Sequence, residues 1–329
     1  MRKFLSLVVP VLLVLVPTML ASWGFYGHRK INRLGIFSLP APMFTFYREN
    51  IEFISEHAVD PDKRRYSMVG EAERHYIDID HYCHDPLCDP FSVVPKRWND
   101  AVSQLSEDTL RAYGIVPWHL EWITRDLTEA FRQMNKGRIL RLSAELGHYA
   151  GDASVPLHTT ENYNGQMTNQ YGIHGFWESR LPELLDENYD LYIGPAEYED
   201  DVLGRAWETV MASHLGVDSV LRFERELSLE YPEDSKYVYE ERGAVLIKTY
   251  SREFSDEYHR RLNHMVERRM RSAVKLTADL WYTAWVDAGQ PDLDKLLQSP
   301  IDPEIQDEIV KESSQPADPE LKSRPHDNE

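Results

Sequence analysis

Between Pro117 and Tyr149 apolar residues recur every three or four positions, and this period is the strongest constraint on how the chain folds. Leu120, Ile123, Leu127, Phe131 and Met134 share one stripe of a helix that Pro117 opens, since a missing N–H costs nothing in a first helical turn. Gly137 interrupts the stripe, and Ile139, Leu142, Leu146 and Tyr149 begin another. A third helical run, Leu262 to Val286, is longer and meets stop signals at Gly289 and Pro291. Alternating strand patterns are scarce, and neither an internal repeat nor a Gly/Ser linker divides the chain. The pattern therefore predicts one all-α, multi-helix domain. With 8 Trp, 18 Tyr and 11 Phe in 329 residues, there is apolar area for a large core, and disorder throughout is excluded.

The two ends differ from this body. Arg2 and Lys3 precede an uncharged stretch from Phe4 to Leu20, and the small residues Ala21 and Ser22 follow, which are the parts of a secretory signal peptide. A membrane anchor is the alternative, but the stretch is short for a span and Pro10 and Pro17 interrupt it. The expectation is a signal over 1–22, a helical domain over 23–290, and an acidic, polar tail without fixed structure over 291–329. The protein would then be exported, periplasmic or secreted, with no transmembrane anchor after cleavage. A net charge of −19 excludes a strongly basic nucleic-acid binder, and two cysteines exclude a disulfide scaffold. In an oxidising compartment Cys83 and Cys88 either close a small clip or stay as thiols.

The chemistry concentrates between Glu145 and Glu178. His148 and Asp152 are four apart in a helical pattern, so they project from one face, and His174 and Glu178 repeat that spacing with His158 between the pairs. One such pair is an ordinary surface feature. Two pairs and a third histidine are a donor set for a borderline cation such as zinc. Upstream lie His75, opening His75-Tyr76-Ile77-Asp78, and His28, five residues after Trp23. Cleavage after Ser22 would leave a free α-amine on Trp23 close to that imidazole, and a neutral amine ligates metals. His57, His119, His214, His259, His264 and His326 lack such a partner set and read as core or surface. His81 and His84 are close enough to His75 to support a ligand, and Trp281, Tyr282 and Trp285 read as core.

The opening Trp23-Gly24-Phe25-Tyr26-Gly27-His28, followed by His148, Asp152 and His158 and then His174 and Glu178, resembles the zinc-dependent phospholipase C and single-strand-specific zinc nuclease superfamily. The resemblance implies an all-α fold and three zinc ions. One ion would take the Trp23 amine and carbonyl, His28 and Asp152. A second would take His75, His148, Asp152 and an upstream aspartate, and a third His158, His174 and Glu178. Asp62 and Asp60 both precede His75 at a suitable distance; Asp62, with Arg65 three residues on, is preferred. Asp152 and Asp62 are the expected catalytic carboxylates.

Such a cluster points to a phosphodiester hydrolase, because water beside zinc ionises near neutral pH and paired cations stabilise in-line displacement at phosphorus. The substrate would be a phospholipid or a single-stranded nucleic acid, with no stable protein partner implied. Tyr76 could stack on a base and Asp78 accept from a base edge, as in a single-strand endonuclease or 3'-nucleotidase. The stretch from His148 to Glu178 and its short loop look more like phospholipase C, although Tyr26 and Glu73 stand where a choline box would place an early Glu and an aromatic. The reading leans to phospholipase C. A non-catalytic, exported zinc-binding protein is the remaining class.

Overall fold

The computed structural model describes residues 24–321 apart from 84, 86, 87, 243, 244 and 320. The expected signal peptide over 1–22, Trp23, His84, His326 and the last residues of the tail lie outside the described residues. The chain folds into a mostly helical, multi-helix body. In chain order the elements used below are α1 (Gly24–Gly35), α2 (Ala41–Glu49), α3 (Ile51–Glu56), α4 (Asp60–Arg64), α5 (Val116–Arg132) and α6 (Lys136–Ala153). There follow α7 (Val202–His214), α8 (Val217–Glu230), the hairpin β1 (Tyr237–Arg242) and β2 (Val245–Tyr250), α9 (Arg252–Arg261), α10 (Met265–Asp287) and α11 (Pro303–Ser314).

The long stripe becomes the antiparallel pair α5 and α6. Met134 turns the chain with φ 52°, and Asn135 accepts the N–H of Arg138 at 3.0 Å to cap α6. Leu120, Ile123, Leu127 and Phe131 are buried, as the period requires. Helix α10 crosses this pair. Trp281 packs against Tyr47 of α2 and donates its indole N–H to the Ser143 carbonyl at 3.0 Å, so both ends of an amphipathic ring are satisfied. Trp281 and Trp285 are core.

Helix α1 lies against α6 and α10 because α6 offers glycines where it passes. A Cβ at Gly147 would overlap Asn32, whose amide instead bonds the Ile54 and Ala144 carbonyls, and a Cβ at Gly151 would sit 2.8 Å from His28 Nδ1. A second apolar cluster gathers Leu157, Phe176, Trp177, Tyr250, Phe254 and Tyr258. The two clusters meet at the C-terminal end of α6, with Ala153 in the first and Val155 in the second. The candidate metal-ligating side chains collect there.

Three local features depart from the sequence expectations. The helix expected from Leu262 to Val286 is α10, but it starts three residues later, at Met265, because α9 ends at Arg261 and Asn263 and His264 are both left-handed (φ 49° and 57°). Residues without Gly or Pro gave no break signal. The antiparallel hairpin pairs Tyr237 with Tyr250 and Arg242 with Val245, a segment whose strand pattern is too short to register against the helical background. The stretch after 291, expected to lack structure, carries the short turn Leu293–Leu296 and then α11. Asp302 caps α11 by accepting the Glu304 N–H, Ile309 is buried, and Glu312 bonds Arg141 at 2.7 Å. Its acidic composition reads as solvated only because its cationic partners are far away in sequence. Cys83 and Cys88 are joined in a disulfide. No helix among the described residues is long and apolar enough to cross a membrane.

Candidate metal centre

Six segments deliver the site. Helix α6 presents His148 and, one turn later, Asp152; α1 brings His28 and α4 brings Asp62. His75 ends the single turn Ala72–His75, and His158 sits in the turn Pro156–Thr159. His174 and Glu178 lie on one helical segment entered through Gly172 (φ 87°), in which Phe176–Arg180 widens to a π-helical turn. Such single π turns recur at functional sites. All of these ligand candidates are buried except Asp62, which is partly exposed.

They form three groups that could each hold a metal ion: His28, His148 and Asp152; Asp62, His75 and His148; and His158, His174 and Glu178. Asp152 stands at the centre. Its oxygens are 3.3 Å from His28 Nε2, 3.0 Å from His75 Nδ1 and 3.2 Å from His148 Nε2. Asp62 Oδ1 lies 3.9 Å from His75 Nδ1 and 4.0 Å from His148 Nε2. In the third group Glu178 Oε2 is 2.7 Å from His174 Nε2 and 3.4 Å from His158 Nε2.

The backbone decides which nitrogens face inward. A carbonyl can only accept, so His148 Nδ1 donates to Ala58 at 2.8 Å, His158 Nδ1 to His75 at 2.6 Å, and His174 Nδ1 to Tyr163 at 3.1 Å. In each neutral ring the other nitrogen then carries a lone pair aimed at carboxylate oxygens. Lone pairs facing buried anions repel unless protons or cations lie between them. His148 Nε2 and His75 Nδ1 are also only 3.0 Å apart. The donor set therefore fits divalent cations, and the carbonyls are the outer partners that fix ligand orientation.

Without metal, protons must do this work. Burial opposes charge on His158, but the Asp152 and Glu178 carboxylates outweigh it and push the ring up to about 9. His75 is raised in the same way, with Asp152 and Glu71 as partners. Burial likewise works to raise Asp152 and Asp62, and the facing imidazoles, with Arg65 beside Asp62, hold both below the ordinary carboxylate range.

Of the two aspartates considered upstream, Asp62 reaches the site, whereas Asp60 faces His57 at 2.6 Å and Lys63 at 2.8 Å. Tyr76 is half-buried and packs on Gly114, where any Cβ would collide with it, and Asp78 is 2 % exposed. Tyr26 bonds Asp186, and Glu73 pairs with Arg111 at 3.3 Å. His81 stacks on Tyr113 and pairs with Glu161, away from His75.

Sequence reasoning missed the support behind His75. Glu71 Oε1 is 3.6 Å from His75 Nε2, accepts the Tyr149 hydroxyl, and is tied to Arg64 at 2.9 Å. Arg64 in turn reaches Glu145 at 2.6 Å. The four-residue spacing of Glu71 and His75 was the available signal. His259 and His264 were also passed over, although with Glu267 they make a fourth group. No protein-family model matches this chain, and no curated relative does either, so the functional reading rests on the site itself.

Proposed function

We propose that this protein is an exported, zinc-dependent phosphodiester hydrolase, phospholipase C-like in its substrate. The observation that carries the reading is the fusion of the ligand groups. His148 belongs to two of them, Asp152 touches three imidazoles, and His28 Nε2 lies 3.9 Å from Glu178 of the third. Closed structural zinc sites use four ligands apiece and have no need to share them, whereas hydrolases of phosphoesters hold adjacent cations. Zinc in these groups would supply Lewis acidity, easing ionisation of water and offsetting charge that develops at phosphorus.

The chain's own residues have distinct tasks. Asp152, 1 % exposed, holds the cluster together. Asp62 is the most open of the three carboxylates, with its side chain 11 % exposed, and Arg65 at 3.3 Å keeps it ionised. Its Oδ1, which faces His75 Nδ1 and His148 Nε2, would be the oxygen that holds the cation of that group. The carbonyls of Ala58, His75 and Tyr163 keep the imidazoles from rotating. By the resemblance the Trp23 amine completes the His28 group.

The burial of Asp78 supports the phospholipid reading, since a base reader must be displayed to its base. Tyr26 and Glu73, both engaged elsewhere, leave the head group unassigned. The test is hydrolysis of a panel of short-chain phospholipids and of single-stranded DNA by the zinc-loaded chain beginning at Trp23, against a chelated control. Zinc-dependent release of a phosphorylated head group is expected. Cleavage of DNA alone would move the protein to the nuclease branch, and zinc that raises only the melting temperature would contradict the enzyme reading.

A further inference from the structure

A fourth convergence of ligands lies apart from this centre, at the break between α9 and α10. His259 is in the last turn of α9, His264 caps α10 and Glu267 is in its first turn. One ligand atom from each lies within 4.8 Å of the other two. His259 Nε2 and His264 Nδ1 are 3.0 Å apart, and Glu267 Oε2 is 3.7 Å from His264 Nδ1.

The surroundings hold each ligand from outside the group. The left-handed conformations at Asn263 and His264, costly for residues with a Cβ, return the His264 ring over His259. Tyr189 stacks on His259 with rings 16° from parallel, and the Asp190 N–H donates to Glu267 Oε1 at 2.9 Å. His259 is 7 % exposed, so its Nε2 meets His264 at the buried side of the group. The His264 side chain is 59 % exposed, so an ion reaches the group directly from solvent.

We propose that His259, His264 and Glu267 form a separate zinc site that fastens the α9–α10 break to the 189–190 segment. Two imidazoles and a carboxylate are a donor set zinc accepts, and the exposed side leaves a fourth position for water. An ion bound there only in the folded chain stabilises it by mass action.

The experiment counts zinc per chain by elemental analysis after equilibration with excess zinc and removal of the unbound metal. It compares the wild type with His264→Asn and Glu267→Gln. Asn tolerates the left-handed backbone, and Gln keeps both volume and the Asp190 bond. Each variant is expected to hold one ion fewer than the wild type, to show a smaller zinc-induced rise in melting temperature, and to match the wild type in circular dichroism without zinc. Equal zinc counts and equal zinc-induced stabilisation would overturn the proposal and leave a hydrogen-bonded histidine pair.

Discussion

Gly151 should be the most revealing position outside the ligands, because it sets how closely α1 approaches α6. In Gly151→Ala the new Cβ would lie 2.8 Å from His28 Nδ1, 3.0 Å from His28 Cε1 and 3.4 Å from Ile31 Cδ1. Ordinary contact begins near 3.4 Å, so the His28 ring must retreat by about 0.6 Å. It has little room, being 3 % exposed with its ring centroid 3.9 Å from that of His148. Metal ligands tolerate displacements of about 0.2 Å. Alanine gains about 1 kcal/mol of helix propensity over glycine, and overpacking costs about 1–3 kcal/mol, so the fold should lose no more than about 2 kcal/mol. Zinc affinity at the His28 group should fall far more, roughly 10–100-fold. Competition titration against a calibrated chelator reads the affinity, and a thermal melt reads the fold. Unchanged zinc affinity with an unchanged melt would show that α6 does not clamp His28, and the packing argument would fail.

Asp152→Asn keeps the shape but removes the charge that faces three imidazoles; steady-state hydrolysis should drop roughly 100-fold or more, and turnover near wild type would break the assignment of its role. In chelated protein the raised His158 contributes stability that is complete below about pH 6.5 and lost as pH rises through about 9, and the raised His75 acts in the same direction. The depressed Asp152 and Asp62 contribute above about pH 4 and lose it on acidification. Melting temperature without zinc should therefore peak between these limits and decline toward pH 9, while the zinc-loaded protein declines less; parallel curves would contradict the metal exchange. Glu312→Ala removes one of the two α11 carboxylates that Arg141 holds, a pair at 2.7 Å whose side chains are 17 % and 21 % exposed, and leaves Glu308 at 3.1 Å. It should cost about 1–2 kcal/mol in urea denaturation, and no change would mean that α11 docks without the Glu312 pair.

The helical architecture was legible because its signals are local. The stripe from Leu120 to Phe131 and the four-residue spacing of His148 and Asp152 are fixed by one helical period, and α5 and α6 follow them. His75 and His158, by contrast, sit in single turns, and nothing in their neighbours' spacing says that they meet Asp152. The family resemblance grouped them, and the folded chain brings them together. What stayed illegible depends on distance in sequence. Glu312 meets Arg141 across 171 residues, and Gly151 matters only through His28 on another helix. The fourth ligand group escaped for a different reason. Left-handed Asn263 and His264 turn the chain between α9 and α10, at the very start of the run that the helical period marks, and only that turn carries His264 back to His259.

The central claim, that the buried groups around Asp152 hold zinc, is tested most directly by anomalous diffraction at the zinc edge from crystals of the zinc-loaded chain beginning at Trp23. For these buried groups the account predicts three peaks, at His28–His148–Asp152, at Asp62–His75–His148 and at His158–His174–Glu178, besides the one proposed at His259–His264–Glu267. Crystals grown with zinc in excess that show no peak against Asp152 or Glu178 would contradict it.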